Sequence, residues 1–112
     1  MRLICSISHR VLALTLDVLF IGPFDLSNAL GHPIAHGKEH PLVAEAIQHV
    51  LHISHKAGKK VGIFSTSHED ARKRVAQGFD MVHVGTDVHI LMAGMVAGVE
   101  AALGKGERME EG

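Results

Sequence analysis

The feature that most constrains this chain is its alternation of short apolar runs with longer stretches of helical period. Asp17–Ile21 (DVLFI), Val61–Phe64 (VGIF) and Asp80–Gly85 (DMVHVG) read as strands. Between the first two lies a stretch in which Leu42, Val43, Ala46, Ile47, Val50, Leu51 and Ile53 recur at the spacing of one helical face. Between the second and third lies a shorter helix, and a long apolar helix follows from Asp87 to about Leu103. Strands separated by helices cannot pair as hairpins, so the sheet is expected to be parallel with right-handed crossovers. The first strand is continuous and apolar rather than alternating, which predicts burial on both faces.

Local signals set the boundaries. Gly22-Pro23 ends the first strand, and residues 24–40, with Asn28, Gly31, Pro33 and Gly37, read as a long loop. Pro41 suits the first turn of the next helix. Gly58 suits that helix's C-terminal stop, with Lys56, Lys59 and Lys60 around its negative end. Ser67 with Asp70 three residues on resembles a capping box, and Gly78 stops that helix. Each strand's C-terminal end therefore feeds a loop, and in parallel α/β folds that edge is where sites are built. Periodicity leaves two architectures open: a small doubly wound domain, or part of a (β/α)8 barrel, which needs about 250 residues in all.

Composition narrows the function. The 112 residues carry a net charge of −1, with no Trp or Tyr and four Phe. No basic block supports binding to nucleic acid or an anionic membrane, and no aromatic platform supports base stacking. Cys5 alone cannot form an internal disulfide, so a reducing, cytoplasmic setting is expected. The basic, apolar start MRLICSISHRVLALTL is broken by Arg10 and closed by Asp17. Val11–Ile21 is too short to span a bilayer.

Candidate chemistry centres on Asp25, just past the first strand. One reading makes it a metal ligand: Mg²⁺ takes oxygen ligands and commonly uses only one or two carboxylates, with water and substrate filling the octahedron. The other makes it a turn residue bonded to its own backbone, or a cap for the DLSN segment. The chain has ten histidines. His49, His52 and His55 step by three along one helix, and His36 and His40 are four apart. A zinc-type ligand set is incomplete, so a solvated helix face is expected. His83 reads as a core residue with its polar atoms satisfied. Lys59 and Lys60 lie at the N-terminal end of their strand, away from the functional edge, so an imine mechanism is not supported. Cys5 has no context of a nucleophile, and no dinucleotide, P-loop or nucleophile-elbow motif is present.

The runs DVLFIGPFDLSNALGHP and AGKKVGIFSTSHEDARKRVAQGFDMVHVGTDVHIL resemble the C-terminal part of the HpcH/HpaI aldolase/citrate lyase family. The shared signals are G-P-x-D-L-S after a strand, an A-G-K-x-x-G-I strand, and G-x-D after the last strand. The resemblance covers about residues 17–103. It leaves 1–16 as an unmatched lead-in and 105–112 as a polar tail. It implies an α/β fold, the last three βα units of a (β/α)8 barrel. It implies divalent-metal-dependent (class II) aldol cleavage of 4-hydroxy-2-oxo acids to pyruvate and an aldehyde, in a homo-oligomer, with Mg²⁺, Mn²⁺ or Co²⁺ as cofactor.

By the same resemblance Asp25 is a metal-binding carboxylate. Gly22, Pro23 and Phe24 form the turn beside the 2-oxo acid carboxylate, with Phe24 bulkier than the family's usual residue. Phe64 and Thr86 line the pyruvate methyl pocket, and Asp87 is structural. The family's other metal carboxylate, its base-associated His and its carboxylate-binding Arg have no counterpart here. No catalytic residue is therefore assigned on this chain, and the isolated chain is expected to be a poor catalyst. The alternative is a non-catalytic small α/β binding module, with histidines holding metal.

Overall fold

A computed structural model describes residues 16–104. Its elements are β1 (Val18–Ile21), α1 (Pro23–Ala29), α2 (Pro41–Lys56), β2 (Lys60–Ile63), α3 (His68–Gln77), β3 (Met81–Val82) and α4 (Asp87–Ala102). The three strands form one parallel sheet in the order β1-β2-β3, as their separation by helices requires. The lead-in up to residue 15, with Cys5, His9 and Arg10, and the tail 105–112 lie outside the described residues.

The helix boundaries follow from side chains and turn glycines. At α2, Pro41 occupies the first turn, and His40 Nδ1 accepts the Leu42 N–H at 3.1 Å. Gly58, at φ +75°, carries the chain out of the helix. At α3, Ser67 Oγ accepts the Asp70 N–H at 3.0 Å. Asp70 Oδ2 accepts in return from Thr66 N–H at 3.2 Å, one residue earlier than in the standard reciprocal box. Gly78, at φ +98°, ends α3 in the left-handed conformation that a side chain rarely adopts.

Two expectations are corrected. The segment placed wholly in a loop from residue 24 begins instead as helix α1. Gly22 is its N-cap and Pro23 sits at its first position, where a missing N–H and a fixed φ are no handicap. The expected burial of β1 on both faces is also not found: only Ile21 of its four residues is buried. Alternation explains this. Leu19, Ile21, Val61, Ile63 and Val82 face the core formed with Val43, Ile47, Val50 and Leu51 of α2 and with Phe79. Val18, Phe20 and Met81 are exposed on the opposite face. Gly62 lies between them, with its missing Cβ only 2.7 Å from the Phe20 ring. Among the described residues the sheet is thus covered on one side only.

Polar contacts join the elements at their margins. Arg74 on α3 is buried and reaches Glu39 at 3.1 Å and Asp70 at 3.3 Å, which ties the segment before α2 to α3. Asp80, just before β3, accepts the Val61 N–H at 2.9 Å and pairs with His55 Nε2 at 2.8 Å. The Val61 hydrogen bond first, and His55 second, hold the Asp80 carboxyl below its ordinary value. A carboxylate with a lowered folded-state pKa adds stability above its unfolded value and loses it as pH falls through the folded one. Asp80→Asn is therefore expected to lower the urea midpoint at pH 7, with the gap to the wild type closing below about pH 4. A gap of equal size at pH 7 and pH 3 would assign the effect to packing instead.

Candidate functional site

The C-terminal ends of all three strands lie along one edge of the sheet. Phe64 N–H donates to the Ile21 carbonyl and His83 N–H to the Ile63 carbonyl, both at 3.0 Å. These bonds set Gly22, Phe64 and His83 side by side across the sheet, at the strand spacing of about 4.8 Å. The parallel register therefore brings the loop after β1, with Asp25, level with the loops after β2 and β3.

At the β1 end, α1 starts immediately. Leu26 N–H is the first to bond back to the Gly22 carbonyl, at 2.9 Å. The N–H groups of Phe24 and Asp25 precede it and have no intrahelical acceptor, as in any first helical turn. Asp25 is exposed on that first turn. Its Oδ2 lies 3.4 Å from the place a Cβ on residue 22 would take, so the carboxylate folds back over the helix start in van der Waals range of Gly22. The expected alternative, a bond from Asp25 to its own turn, is not formed among the described residues. Phe24 is 63% exposed, and Ser27 Oγ–H donates to its carbonyl at 2.6 Å.

At the β2 and β3 ends there is an open cleft of about 880 Å³, with Phe64, Ser65, His83, Thr86, His89 and Ile90 among its lining. It brings together Phe64 and Thr86 of the expected site residues. Gly22, Pro23, Phe24 and Asp25 do not line it, so the candidate residues fall into two neighbouring groups. The Phe64 ring stacks on the His83 imidazole, with centroids 4.0 Å apart and planes 18° from parallel. His83 Nδ1 is 3.2 Å from the Ser65 carbonyl, and Ser65 Oγ–H donates to the His83 carbonyl. Thr86 is the N-cap residue of α4, but its hydroxyl meets His89 Nδ1 at 2.9 Å rather than a backbone N–H. Asp87 Oδ1 accepts the Val88 N–H at 2.8 Å, a role within the first turn of α4.

His83 and Ser65 were not singled out as site residues by sequence reasoning. They are 18 positions apart, and no local pattern announces a contact of that range. The Thr86–His89 pair could have been found, because residues three apart share a helix face.

Among the described residues no group of three or more His, Cys, Asp or Glu side chains converges to hold an ion. His49, His52 and His55 are exposed along α2, and His55 is engaged by Asp80. His40 stacks on His32, centroids 3.9 Å apart, and not on His36. Among the described residues at the functional edge, Asp87 already accepts the Val88 N–H through Oδ1, whereas the Asp25 carboxylate is exposed with no hydrogen bond. That fits one protein ligand of a hydrated Mg²⁺-type ion and does not fit an all-protein zinc cage.

Comparison with known proteins bears on the family and the fold. Residues 6–93 match the sequence profile described as HpcH/HpaI aldolase/citrate lyase. The chain is 43% identical over 75 residues to a hydroxypyruvate/pyruvate aldolase of Chromohalobacter salexigens, covering 67% of this chain and 29% of that protein. It is 40% identical over 74 residues to a 5-keto-4-deoxy-D-glucarate aldolase of Shigella dysenteriae, covering 66% and 28%. Among solved structures, an HpcH/HpaI aldolase/citrate lyase family protein from Burkholderia cenocepacia superimposes with a TM-score of 0.78 at 30% identity. That superposition covers 88% of this chain and 38% of the other. The chain spans less than a third of the length of these curated relatives. Its three parallel βα units have the architecture of part of a barrel of that type. No helix among the described residues is long and apolar enough to cross a membrane.

Proposed function

The chain belongs to the HpcH/HpaI aldolase/citrate lyase family, and from that premise we propose that its functional edge is one part of a metal-assisted site for a 2-oxo acid of the pyruvate type. The reaction served is cleavage of a 4-hydroxy-2-oxo acid to pyruvate and an aldehyde. The observation that carries this reading is Asp25. Among the described residues its carboxylate is exposed and makes no bond to its own turn, beside two N–H groups with no intrahelical acceptor and three residues past Gly22, which is level with Phe64. The positive end of α1 favours a carboxylate there in any case, and its exposed oxygens leave it open to a cation that must also meet an anionic substrate.

Asp25 would hold a divalent cation such as Mg²⁺, Mn²⁺ or Co²⁺, which when bound acts as a Lewis acid on the substrate carbonyl. The N–H groups of Phe24 and Asp25 receive the substrate carboxylate, favoured there by the positive end of α1. Gly22 and Pro23 fix the entry to that turn. Phe64 and Thr86 bound the site on the side of the substrate's methyl group, where an apolar wall keeps water out. No residue of this chain is assigned proton transfer, and one carboxylate gives weak metal affinity, so further groups must complete the catalyst. The setting proposed is the cytoplasm, where Cys5 stays reduced.

Titration of the full chain with pyruvate, followed by NMR with and without Mg²⁺, tests this reading. Binding is expected only with the metal, and Asp25→Ala is expected to abolish the dependence. Substituting His49, His52 and His55 together should change nothing. Metal-dependent binding that survives Asp25→Ala but is lost with the three histidines would replace this reading with that of a histidine-mediated metal-binding module.

A further inference from the structure

The residue the site description leaves without a role is His83. His83 is anchored by two main-chain bonds and one ring contact. The main chain is held by the His83 N–H bond to Ile63, Nδ1 lies 3.2 Å from the Ser65 carbonyl, and Ser65 Oγ–H closes the pair by donating to the His83 carbonyl. A carbonyl only accepts, so Nδ1 donates to it, which leaves Nε2 as the other ring nitrogen. That Nε2 is sealed from solvent and has no hydrogen-bond partner among the described residues. A nitrogen that neither water nor a neighbour reaches is not placed to move protons. What His83 does present is a flat ring face, stacked on Phe64 with centroids 4.0 Å apart.

We propose that His83 is a positioning residue: its locked imidazole holds the Phe64 ring in one orientation as the rigid wall of the cleft, and so sets the size of apolar group the site accepts. The proposal rests on the reading of Phe64 as the wall beside the 2-oxo acid's methyl group. An unsupported Phe on a loop can swing about its side-chain torsions and yield to a larger ligand. A Phe backed by a second ring, itself tied to the adjacent strand end, cannot yield without breaking the stack. The ligand selected is thus a 2-oxo acid with a small 3-position, and the discrimination is against each added methylene.

The test uses the full chain with Mg²⁺ and compares pyruvate with 2-oxobutyrate, which is longer by one methylene. A methylene in an apolar pocket is worth about tenfold or more in selectivity, so the wild type is expected to prefer pyruvate by about that factor. His83→Ala is expected to remove most of the preference and to shift and broaden the Phe64 ring resonances. His83→Phe keeps a flat face and loses every polar atom, so it is expected to restore both the preference and the Phe64 signals. It also carries the test should the alanine variant fail to fold. An unchanged preference in His83→Ala overturns the proposal, as does a phenylalanine variant that behaves like the alanine one. If wild-type pyruvate binding shows no dependence on Mg²⁺, the reading of the site fails and the size-selection claim falls with it. If binding is lost in Asp25→Ala while the His83 variants keep full selectivity, only the present proposal fails.

Discussion

Ile47→Ala is expected to abolish the cooperative unfolding transition of this chain. Ile47 has no solvent exposure and sits in the cluster formed by Val43, Val50, Leu51, Val61, Ile63, Ile21 and Phe79. Cutting a buried Ile to Ala costs about 2–5 kcal/mol, because the apolar contact is lost and the cavity closes only partly. Small domains have only about 5–15 kcal/mol in total, and a sheet covered on one face belongs at the low end. Among the described residues the ten buried apolar side chains are outnumbered by sixteen large ones left exposed, so there is little elsewhere to make up the loss. Urea denaturation followed by circular dichroism reads the effect. Phe20→Ala is the control: the ring is larger but 57% exposed, and a shift within about 1 kcal/mol is expected. A wild-type-like midpoint for Ile47→Ala, or a larger loss for Phe20→Ala, would place the working core on the other face of the sheet.

That contrast marks where the sequence could and could not be read. The parallel order was legible because it follows from strands alternating with helices. The ends of α2 and α3 were legible because Gly58 and Gly78 take the left-handed conformation that a stop requires. Helix α1 was not, although Pro23 plays the part that Pro41 was correctly given. PFDLSNA has turn-forming Asp, Ser and Asn and is too short to show a period. The burial of β1 was misread for a different reason. An apolar run reports which surfaces need cover, and the cover for Val18 and Phe20 does not come from the described residues. Among the candidate site residues, the position of Asp25 just past a strand was legible; its role is a proposal. The division between Asp25 and the Phe64–Thr86 cleft, and the His83 stack behind Phe64, depend on pairing across strands that no local pattern encodes.

The second large effect concerns α4, and the expected result is self-association. None of its sixteen residues is buried among the described residues. Val88, Leu91, Met92, Met95, Val96 and Val99, with Leu103 just beyond, step by three and four and so form one stripe of large apolar side chains. All of them are more than half exposed. The opposite side carries the small residues Ala93, Gly94, Ala97 and Ala101, with Ile90 at its N-terminal end. A contiguous exposed apolar stripe of this kind marks an association surface. Each large side chain contributes about 1.5–3 kcal/mol when fully buried. Partial burial of the stripe on two copies is therefore of the same order as the association cost, about 4–15 kcal/mol. Sedimentation velocity is expected to show species heavier than the 12.0 kDa chain, together with binding of a hydrophobic dye. Leu91→Glu combined with Met95→Glu puts two charges in the middle of the stripe, and a charge buried without a partner opposes association strongly. The double variant is expected to sediment as a monomer with its α2–β2 core intact, since neither residue touches that core. Association unchanged in the double variant would shift the cause to the open sheet face, where Phe20 and Met81 offer the next apolar patch.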